Sequence, residues 1–167
     1  MQEDRPFAHL MIDPHLDAIA KLVADNWNVR ISAETGSGKS IGVVGHLALQ
    51  GYRVFVSVPT RLAARSLCDY LRKLCPNLLI GFAAEGQVDY DDDTQVVYAT
   101  KGHIAHLVID CYARSLTYNF CDILVLDETH TGTIDDSICA SLFMKDFNAG
   151  RTVPKLVLMT ATPTAMP

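Results

Sequence analysis

The stretch from Asn28 to Ser40 constrains the possible folds of this chain more than any other part of it. Apolar and polar residues alternate from Asn28 to Ala33, which indicates a short strand, and Lys39 stands where a helix is predicted to begin. Gly36 and Gly38 lack a Cβ atom and can take positive φ, so consecutive backbone N–H groups between strand and helix can turn inward around an anion. The positive end of the helix dipole would face the same anion. The stretch therefore predicts a phosphate-binding loop.

The loop fits the pattern G-x-x-x-x-G-K-[ST], except that Ala33 occupies its first position. Lys39 is predicted to reach the β- and γ-phosphates of a nucleotide, and the Ser40 hydroxyl to ligate Mg²⁺. The remaining predicted nucleotide-binding positions are Glu34, Thr35, Gly36, Ser37 and Gly38. The alternative is a flexible Gly/Ser turn, which the Gly-Lys-Ser sequence directly behind a strand disfavours.

The chain has 167 residues, of which 49% are hydrophobic, and this predicts one domain with a substantial core. It contains no apolar run near the roughly 18 residues that cross a membrane, and no signal pattern. We therefore expect a soluble, intracellular protein without a transmembrane segment. Its five cysteines are odd in number and never form Cys-x-x-Cys, which favours reduced thiols over disulfides or structural zinc. A net charge of −5 means that any binding of nucleic acid needs a local patch.

Strand and helix patterns alternate along the chain. The predicted strands cover 28–33, 53–58, 78–82, 95–99, 122–127 and 155–160. The predicted helices cover 41–50, 60–75, 101–114 and 134–147, after a first helix that Asp13 is expected to cap. This alternation predicts an α/β fold with a mostly parallel sheet and helices on both faces. The polar residues of the first strand fit poorly with a strand that is buried on both faces.

Two segments raise the alternative of a metal site. The carboxylates between residues 85 and 94 could suggest calcium, but the glycine and closing glutamate of an EF-hand are missing, so a solvated turn is expected. His103, His106 and Asp110 share one face of a predicted helix. They could hold a metal, although an exposed polar face explains them equally well.

Two adjacent acids, Asp127 and Glu128, close an apolar strand downstream of the loop. An Mg²⁺-nucleotide site needs an acid in this position, so Asp127 is predicted to hold the ion, usually through water. Glu128 is predicted to accept a proton from the attacking water or to orient it. The alternative is a solvated turn, but the order of the two motifs favours the catalytic interpretation.

At this point the sequence resembles a known family, the superfamily 2 DExH-box helicases. Motif I is similar to Ala-Glu-Thr-Gly-Ser-Gly-Lys-Ser at 33–40, and motif Ia to Val-Pro-Thr-Arg-Leu-Ala-Ala at 58–64. Motif Ib resembles Tyr-Ala-Thr-Lys-Gly at 98–102, motif II Leu-Asp-Glu-Thr-His at 126–130, and motif III Met-Thr-Ala-Thr-Pro at 159–163. The sequences of motifs Ia and III are similar to those of viral members of the family, in flavivirus-like and potyvirus-like polyproteins. Departures from the family pattern are Val58, Thr129 and the polar strand before motif I.

The resemblance implies a RecA-like P-loop NTPase domain over 1–167, the first of two such domains in an ATP-dependent RNA helicase. It implies ATP and Mg²⁺ at the loop, single-stranded RNA as partner with DNA as the alternative, and a cytoplasmic location, at host-cell replication sites for a viral protein. Contacts to the nucleic-acid backbone are implied for Pro59, Thr60, Arg61, Thr100, Lys101 and Gly102. His130, Thr160, Ala161 and Thr162 would couple the two sites, with His130 also counted among the catalytic residues.

The second RecA-like domain, with its arginine fingers, is expected to lie outside these residues, so the isolated chain should be almost inactive. Arg65 and Arg72 are expected to form only a solvated helix edge. Two alternative functions stay open at this stage. One is a P-loop ATPase motor that does not act on RNA, and the other is a nucleotide-binding interaction module that has lost hydrolysis.

Overall fold

A single sheet of seven strands organises the part of the chain that the structure describes. The structure is a computed structural model and describes residues 5–34, 36–127 and 133–161. The strands are β1 (Asn28–Ala33), β2 (Val54–Val58), β3 (Ile80–Ala84), β4 (Gln87–Asp89), β5 (Val96–Thr100), β6 (Ile123–Leu126) and β7 (Lys155–Ala161). Their order is β1-β7-β6-β2-β5-β3-β4, and among these strands only β3 and β4 pair antiparallel.

Helices cover both faces of this sheet. They are α1 (Leu16–Asp25), α2 (Lys39–Leu49), α3 (Arg61–Leu74), α4 (Lys101–Ala113) and α5 (Ile134–Asn148). The apolar sides of α1, α2 and α3 pack into one buried cluster, and those of α4 and α5 pack into a second cluster on the opposite face. The predicted α/β fold, a mostly parallel sheet with helices on both faces, is confirmed.

Helix α3 shows how the sequence specifies these elements. Its buried residues Ala64, Cys68 and Leu71 recur every three or four positions, so they form one stripe along the helix. The Thr60 hydroxyl accepts a hydrogen bond from the Ala63 N–H at 3.0 Å and caps the first turn. The helix therefore begins directly after β2, at the carboxyl end of the sheet.

Strand β1 lies at the edge of the sheet, which explains its polar residues. Val29 and Ile31 are buried against the helices, whereas Arg30 and Ser32 are exposed. Among the described strands β1 pairs only with β7. An edge strand has less of its surface covered than a central one, so its outer face can be polar.

Two local predictions are wrong. Asp13 does not cap the first helix, because its carboxylate binds the Arg5 guanidinium at 2.5 Å and residues Asp13–His15 form a 3-10 turn before α1. The predicted turn over 85–94 contains β4, which returns antiparallel to β3 after Gly86 at φ 77°. All three residues of β4 are exposed, and the alternation of Gln87, Val88 and Asp89 is too short to identify a strand from sequence.

The carboxyl ends of the central strands meet at one edge of the sheet. The parallel register pairs Ala33 of β1 with Ala161 of β7, and Val58 of β2 with Thr100 of β5. Asp127 directly follows β6, and its N–H donates to the Ser57 carbonyl of β2. Motifs that lie far apart in sequence therefore come together at the edge where ligands of such sheets bind.

The remaining predictions about composition concern thiols and membranes. None of the five cysteines forms a disulfide within the described residues, and Cys68, Cys75, Cys121 and Cys139 are buried. Burial raises the pKa of the Cys139 thiol to about 12, with the nearby Asp136 carboxylate adding to the rise. No helix within the described residues is long and apolar enough to cross a membrane.

Candidate functional site

The loop between β1 and α2 has the backbone shape that its glycines predict. Gly36 and Gly38 take φ of 84° and 87°, and the Ser37 N–H donates to the Glu34 carbonyl at 3.1 Å. A Cβ atom on Gly38 would lie 2.9 Å from the Leu10 side chain, so conformation and space both require glycine there. Thr35, also predicted to bind nucleotide, lies outside the described residues.

Lys39 and Ser40 open α2 directly behind this loop. Lys39 is only 8% exposed and forms no ion pair with a carboxylate of the described residues. The Ser40 hydroxyl donates to Asp127 Oδ2 at 2.7 Å, although the two residues are 87 positions apart. The structure thus brings together the two residues that the sequence predicts as Mg²⁺ ligands.

A hydroxyl and a carboxylate in contact suit Mg²⁺, which prefers oxygen ligands and keeps most of its coordination for water and phosphate. Such a site needs no large cluster of protein ligands. None of the described residues form a group of three or more His, Cys, Asp or Glu that could hold a metal. The donor set of Ser40 and Asp127 therefore fits magnesium held jointly with a nucleotide.

Tyr98 of β5 contacts the first turn of α2. Its hydroxyl donates to the Ser40 carbonyl at 2.8 Å, and the side chain is fully buried in β5. Burial raises the pKa of Tyr98 well above its usual 10, and the nearby Asp127 carboxylate adds to the rise. Sequence reasoning did not identify this role, and the only signal was a tyrosine within an otherwise apolar strand.

The Lys101 side chain does not lie where the sequence led us to expect. Its ammonium is 6% exposed and donates to Asp136 Oδ2 at 2.5 Å and to the Asp127 carbonyl at 2.8 Å. Because α5 packs against α4, the Lys101 side chain is enclosed between the two helices. Glu128 and His130, which follow Asp127 in the segment similar to motif II, lie outside the described residues.

Pro59 and Thr60, which follow β2, and Arg61, which opens α3, are exposed, as contacts to a nucleic-acid strand require. The Arg61 guanidinium donates to the Glu85 carbonyl at 2.9 Å, in the turn between β3 and β4. The Thr60 hydroxyl is used in capping α3. Arg61 is therefore the cation of this segment that can reach a phosphate.

Thr100 and Gly102 lie close to the same turn. The Thr100 hydroxyl is 3.4 Å from Glu85 Oε1, and a Cβ atom on Gly102 would lie 2.6 Å from that oxygen. The two segments predicted to contact a strand therefore meet around Glu85. Its exposed carboxylate places a negative charge where a phosphate is expected.

The predicted coupling residues lie beside the loop strand. Thr160 and Ala161 pair with Ser32 and Ala33, so the end of β7 is adjacent to the start of the phosphate loop. Thr162 lies outside the described residues.

The two other arginines of α3 make contacts within the domain. Arg65 pairs with Asp69 at 3.6 Å and lies over the Phe82 ring, and Arg72 donates twice to the Ile80 carbonyl. Both are more than a third exposed, as predicted, but Arg72 also links α3 to β3.

The alternative metal site on α4 does not assemble. His103 Nε2 is 3.1 Å from the Tyr90 hydroxyl, and Asp110 pairs with Arg114 at 3.1 Å. Burial lowers the pKa of His103, although the Glu85 carboxylate opposes this.

Comparison with known proteins places these features in a family. The sequence model of the family described as DEAD/DEAH box helicase matches residues 13–167. The ATP-dependent RNA helicase HrpB of Escherichia coli is 26% identical over 141 residues, which are 80% of this chain and 17% of that protein. The genome polyprotein of Beet mosaic virus is 30% identical over 101 residues, which are 60% of this chain and 3% of that protein.

A solved structure supports the fold. The crystal structure of the Escherichia coli DEAH/RHA helicase HrpB superposes with a TM-score of 0.80 at 22% identity, covering 93% of this chain and 20% of that one. The sheet and its helices thus match the RecA-like domain of a helicase. The chain spans a fifth or less of the length of these relatives.

Proposed function

We propose, since this chain belongs to the DEAD/DEAH box helicase family, that it is the ATP-binding half of an ATP-dependent RNA helicase. In this proposal it hydrolyses ATP by in-line attack of water on the γ-phosphate, and the hydrolysis drives movement on RNA or its unwinding. The observation that carries the proposal is the 2.7 Å contact between the Ser40 hydroxyl and the Asp127 carboxylate. It joins the end of the phosphate loop to the acid that closes β6.

Each residue of the proposed site has a separate task. The loop amides from Glu34 to Gly38 and the Lys39 ammonium bind the phosphates. Ser40 and Asp127 hold Mg²⁺, which neutralises charge on the phosphate oxygens when it is bound. Glu128 accepts a proton from the attacking water or orients it.

The nucleic-acid contacts belong to the same proposal. Pro59, Thr60 and Arg61, with Thr100 and Gly102, contact the sugar-phosphate backbone of single-stranded RNA without reading bases. The exposure of Arg61 and its closeness to the turn shared with Thr100 support this surface. Lys101 takes part only through its backbone N–H at the start of α4, because its side chain is buried.

The site is completed by other parts of the polypeptide. A second RecA-like domain supplies the finger arginine, and His130 with Thr160, Ala161 and Thr162 connects nucleotide to strand. The protein acts in the cytoplasm. The size of the curated relatives, which exceed this chain several-fold in length, supports a further domain.

A narrower proposal is that the chain derives from a viral polyprotein and serves RNA replication. The similarity to the Beet mosaic virus polyprotein supports it. Sequencing the reading frame on both sides of the chain tests it. A protease or polymerase domain in the same frame would support a viral origin, and a frame that encodes a cellular helicase alone would contradict it.

Calorimetric titration of the chain with Mg-ATP tests the nucleotide site. We expect Lys39→Ala to weaken binding about ten- to a hundredfold, since a buried ammonium-to-phosphate hydrogen bond is lost. Lys21→Ala on the exposed face of α1 is the matched control and should bind like the parent. Equal affinity of Lys39→Ala and the parent would contradict the site.

A further inference from the structure

A buried ion pair lies directly behind the end of β6. Lys101 is the first residue of α4, and Asp136 lies in the first turn of α5. Both side chains are less than a tenth exposed, and Lys101 Nζ lies 2.5 Å from Asp136 Oδ2. The Ser57 hydroxyl of β2 donates to the other oxygen, Asp136 Oδ1, at 3.4 Å.

Stability alone does not explain this pair. Transferring two charges from water into the protein interior costs about as much free energy as their attraction returns, and apolar pairs of similar volume often stabilise a fold equally well. A buried ion pair can have a second role when one of its members also binds a further group of the protein. Here the Lys101 ammonium donates a further hydrogen bond to the Asp127 carbonyl at 2.8 Å.

That second contact completes a set of restraints on Asp127. Its N–H donates to the Ser57 carbonyl at 3.0 Å, its carbonyl accepts from Lys101, and its carboxylate accepts from Ser40 at 2.7 Å. Ser57 contributes twice, because its carbonyl holds Asp127 and its hydroxyl contacts Asp136. The restrained carbonyl belongs to the peptide group that leads into residue 128.

We propose that Lys101 and Asp136 are positioning residues which fix the main chain of Asp127 and thereby set the Mg²⁺-dependent part of nucleotide binding. The inference rests on the proposed function, in which Asp127 holds the magnesium. The Asp136 carboxylate holds the Lys101 ammonium in place, and the ammonium in turn holds the Asp127 carbonyl. Neither side chain touches the nucleotide.

The test is a double variant, Lys101→Met with Asp136→Leu, which removes both charges while keeping one linear and one branched side chain. Such replacements generally leave a domain folded, and cooperative thermal unfolding checks that they do. The ratio of the ATP dissociation constants without and with Mg²⁺ is then measured by calorimetry. We expect this ratio to fall about tenfold, the scale of a lost hydrogen bond from a charged donor, while affinity without Mg²⁺ stays at the parent value.

Amide hydrogen exchange provides a second measurement that needs no nucleotide. The Asp127 N–H should exchange about tenfold faster in the double variant, while the N–H of Val54, which donates to the Gln95 carbonyl, keeps its parent rate. The control is Arg151→Met, which removes the ion-pair partner of another buried acid of α5, Asp146, and leaves its hydrogen bond from Tyr118. Asp146 lies ten residues further along the helix, about 15 Å away, so the control should change neither readout.

The outcomes separate the two proposals. A folded double variant with the parent ratio and the parent exchange rate would overturn the positioning role. A parent whose ATP affinity does not depend on Mg²⁺ would overturn the proposed function instead, and the exchange result would then decide the positioning of Asp127 alone. If the double variant does not fold, Lys101→Gln with Asp136→Asn keeps a neutral pair of similar shape. The ratio of the ATP dissociation constants without and with Mg²⁺ should then fall about threefold, because a neutral donor forms a weaker hydrogen bond than a charged one.

Discussion

At the scale of single residues, Tyr98 connects the core of the sheet to the first turn of α2. The Tyr98 hydroxyl donates a hydrogen bond to the Ser40 carbonyl, and burial holds the pKa of Tyr98 well above 10. Since the folded state keeps this proton to a higher pH than the unfolded state, Tyr98 stabilises the fold fully below pH 10. That contribution is lost as the pH rises further.

Tyr98→Phe should therefore lower the free energy of unfolding by about 1 kcal/mol at pH 7, because a buried hydrogen bond is lost. Above pH 10 the free energy of unfolding of the parent falls by about 1.4 kcal/mol per pH unit because of the Tyr98 hydroxyl. The variant lacks this hydroxyl and does not show this fall. The difference between parent and variant should shrink toward zero by about pH 11. Denaturant unfolding at pH 7, 9 and 11 measures it, and a difference that stays constant over this range would contradict the role of Tyr98.

At the scale of elements, the start of α3 and the β3–β4 turn form the candidate strand-binding surface. Arg61→Ala should weaken binding of single-stranded RNA and lower the slope of log affinity against log salt by about 0.7, since one phosphate contact is lost. Arg65→Ala is the matched control, because Arg65 pairs with Asp69 and packs on Phe82. Fluorescence anisotropy at several salt concentrations measures both variants.

Glu85 supplies a test of opposite sign on the same surface. Its carboxylate lies beside Thr100 and Gly102, so Glu85→Gln should strengthen RNA binding several-fold, by removing repulsion of phosphate. If Arg61→Ala and Arg65→Ala weaken binding equally, or if Glu85→Gln has no effect, RNA does not bind at this surface.

Sequence predicted most of the elements and assigned Ser40 and Asp127 to one site, because phosphate loops and strand-terminal acids have fixed positions in parallel sheets. It could not predict the Lys101–Asp136 pair. The spacing of the two residues carries no periodic signal, and their contact depends on how α4 and α5 pack. Strand β4 was missed for a similar reason, since it is defined by pairing with β3 and not by its own pattern.

At the scale of the whole molecule, charge and domain organisation limit what these residues can do alone. In the proposed function the finger arginine comes from another domain. Such a residue increases the rate of hydrolysis about 10³–10⁵-fold. Half a groove on a chain of net charge −5 offers only a few backbone contacts to RNA. The isolated chain should therefore show almost no RNA-stimulated hydrolysis. Phosphate release with and without single-stranded RNA checks this, and strong stimulation would contradict the two-domain proposal.

The most direct measurement of the proposed nucleotide site is the Mg²⁺ dependence of ATP binding by the chain and two variants. Calorimetry with Mg²⁺ and with EDTA should show that the parent binds more tightly with Mg²⁺, whereas Asp127→Asn binds equally in both, because an amide is a poor ligand for the ion. Glu128→Gln, at the neighbouring position, is the control and should keep the parent dependence, since its proposed partner is water. If Asp127→Asn retains the parent's Mg²⁺ dependence, the pairing of Ser40 with Asp127 is not a magnesium-nucleotide site.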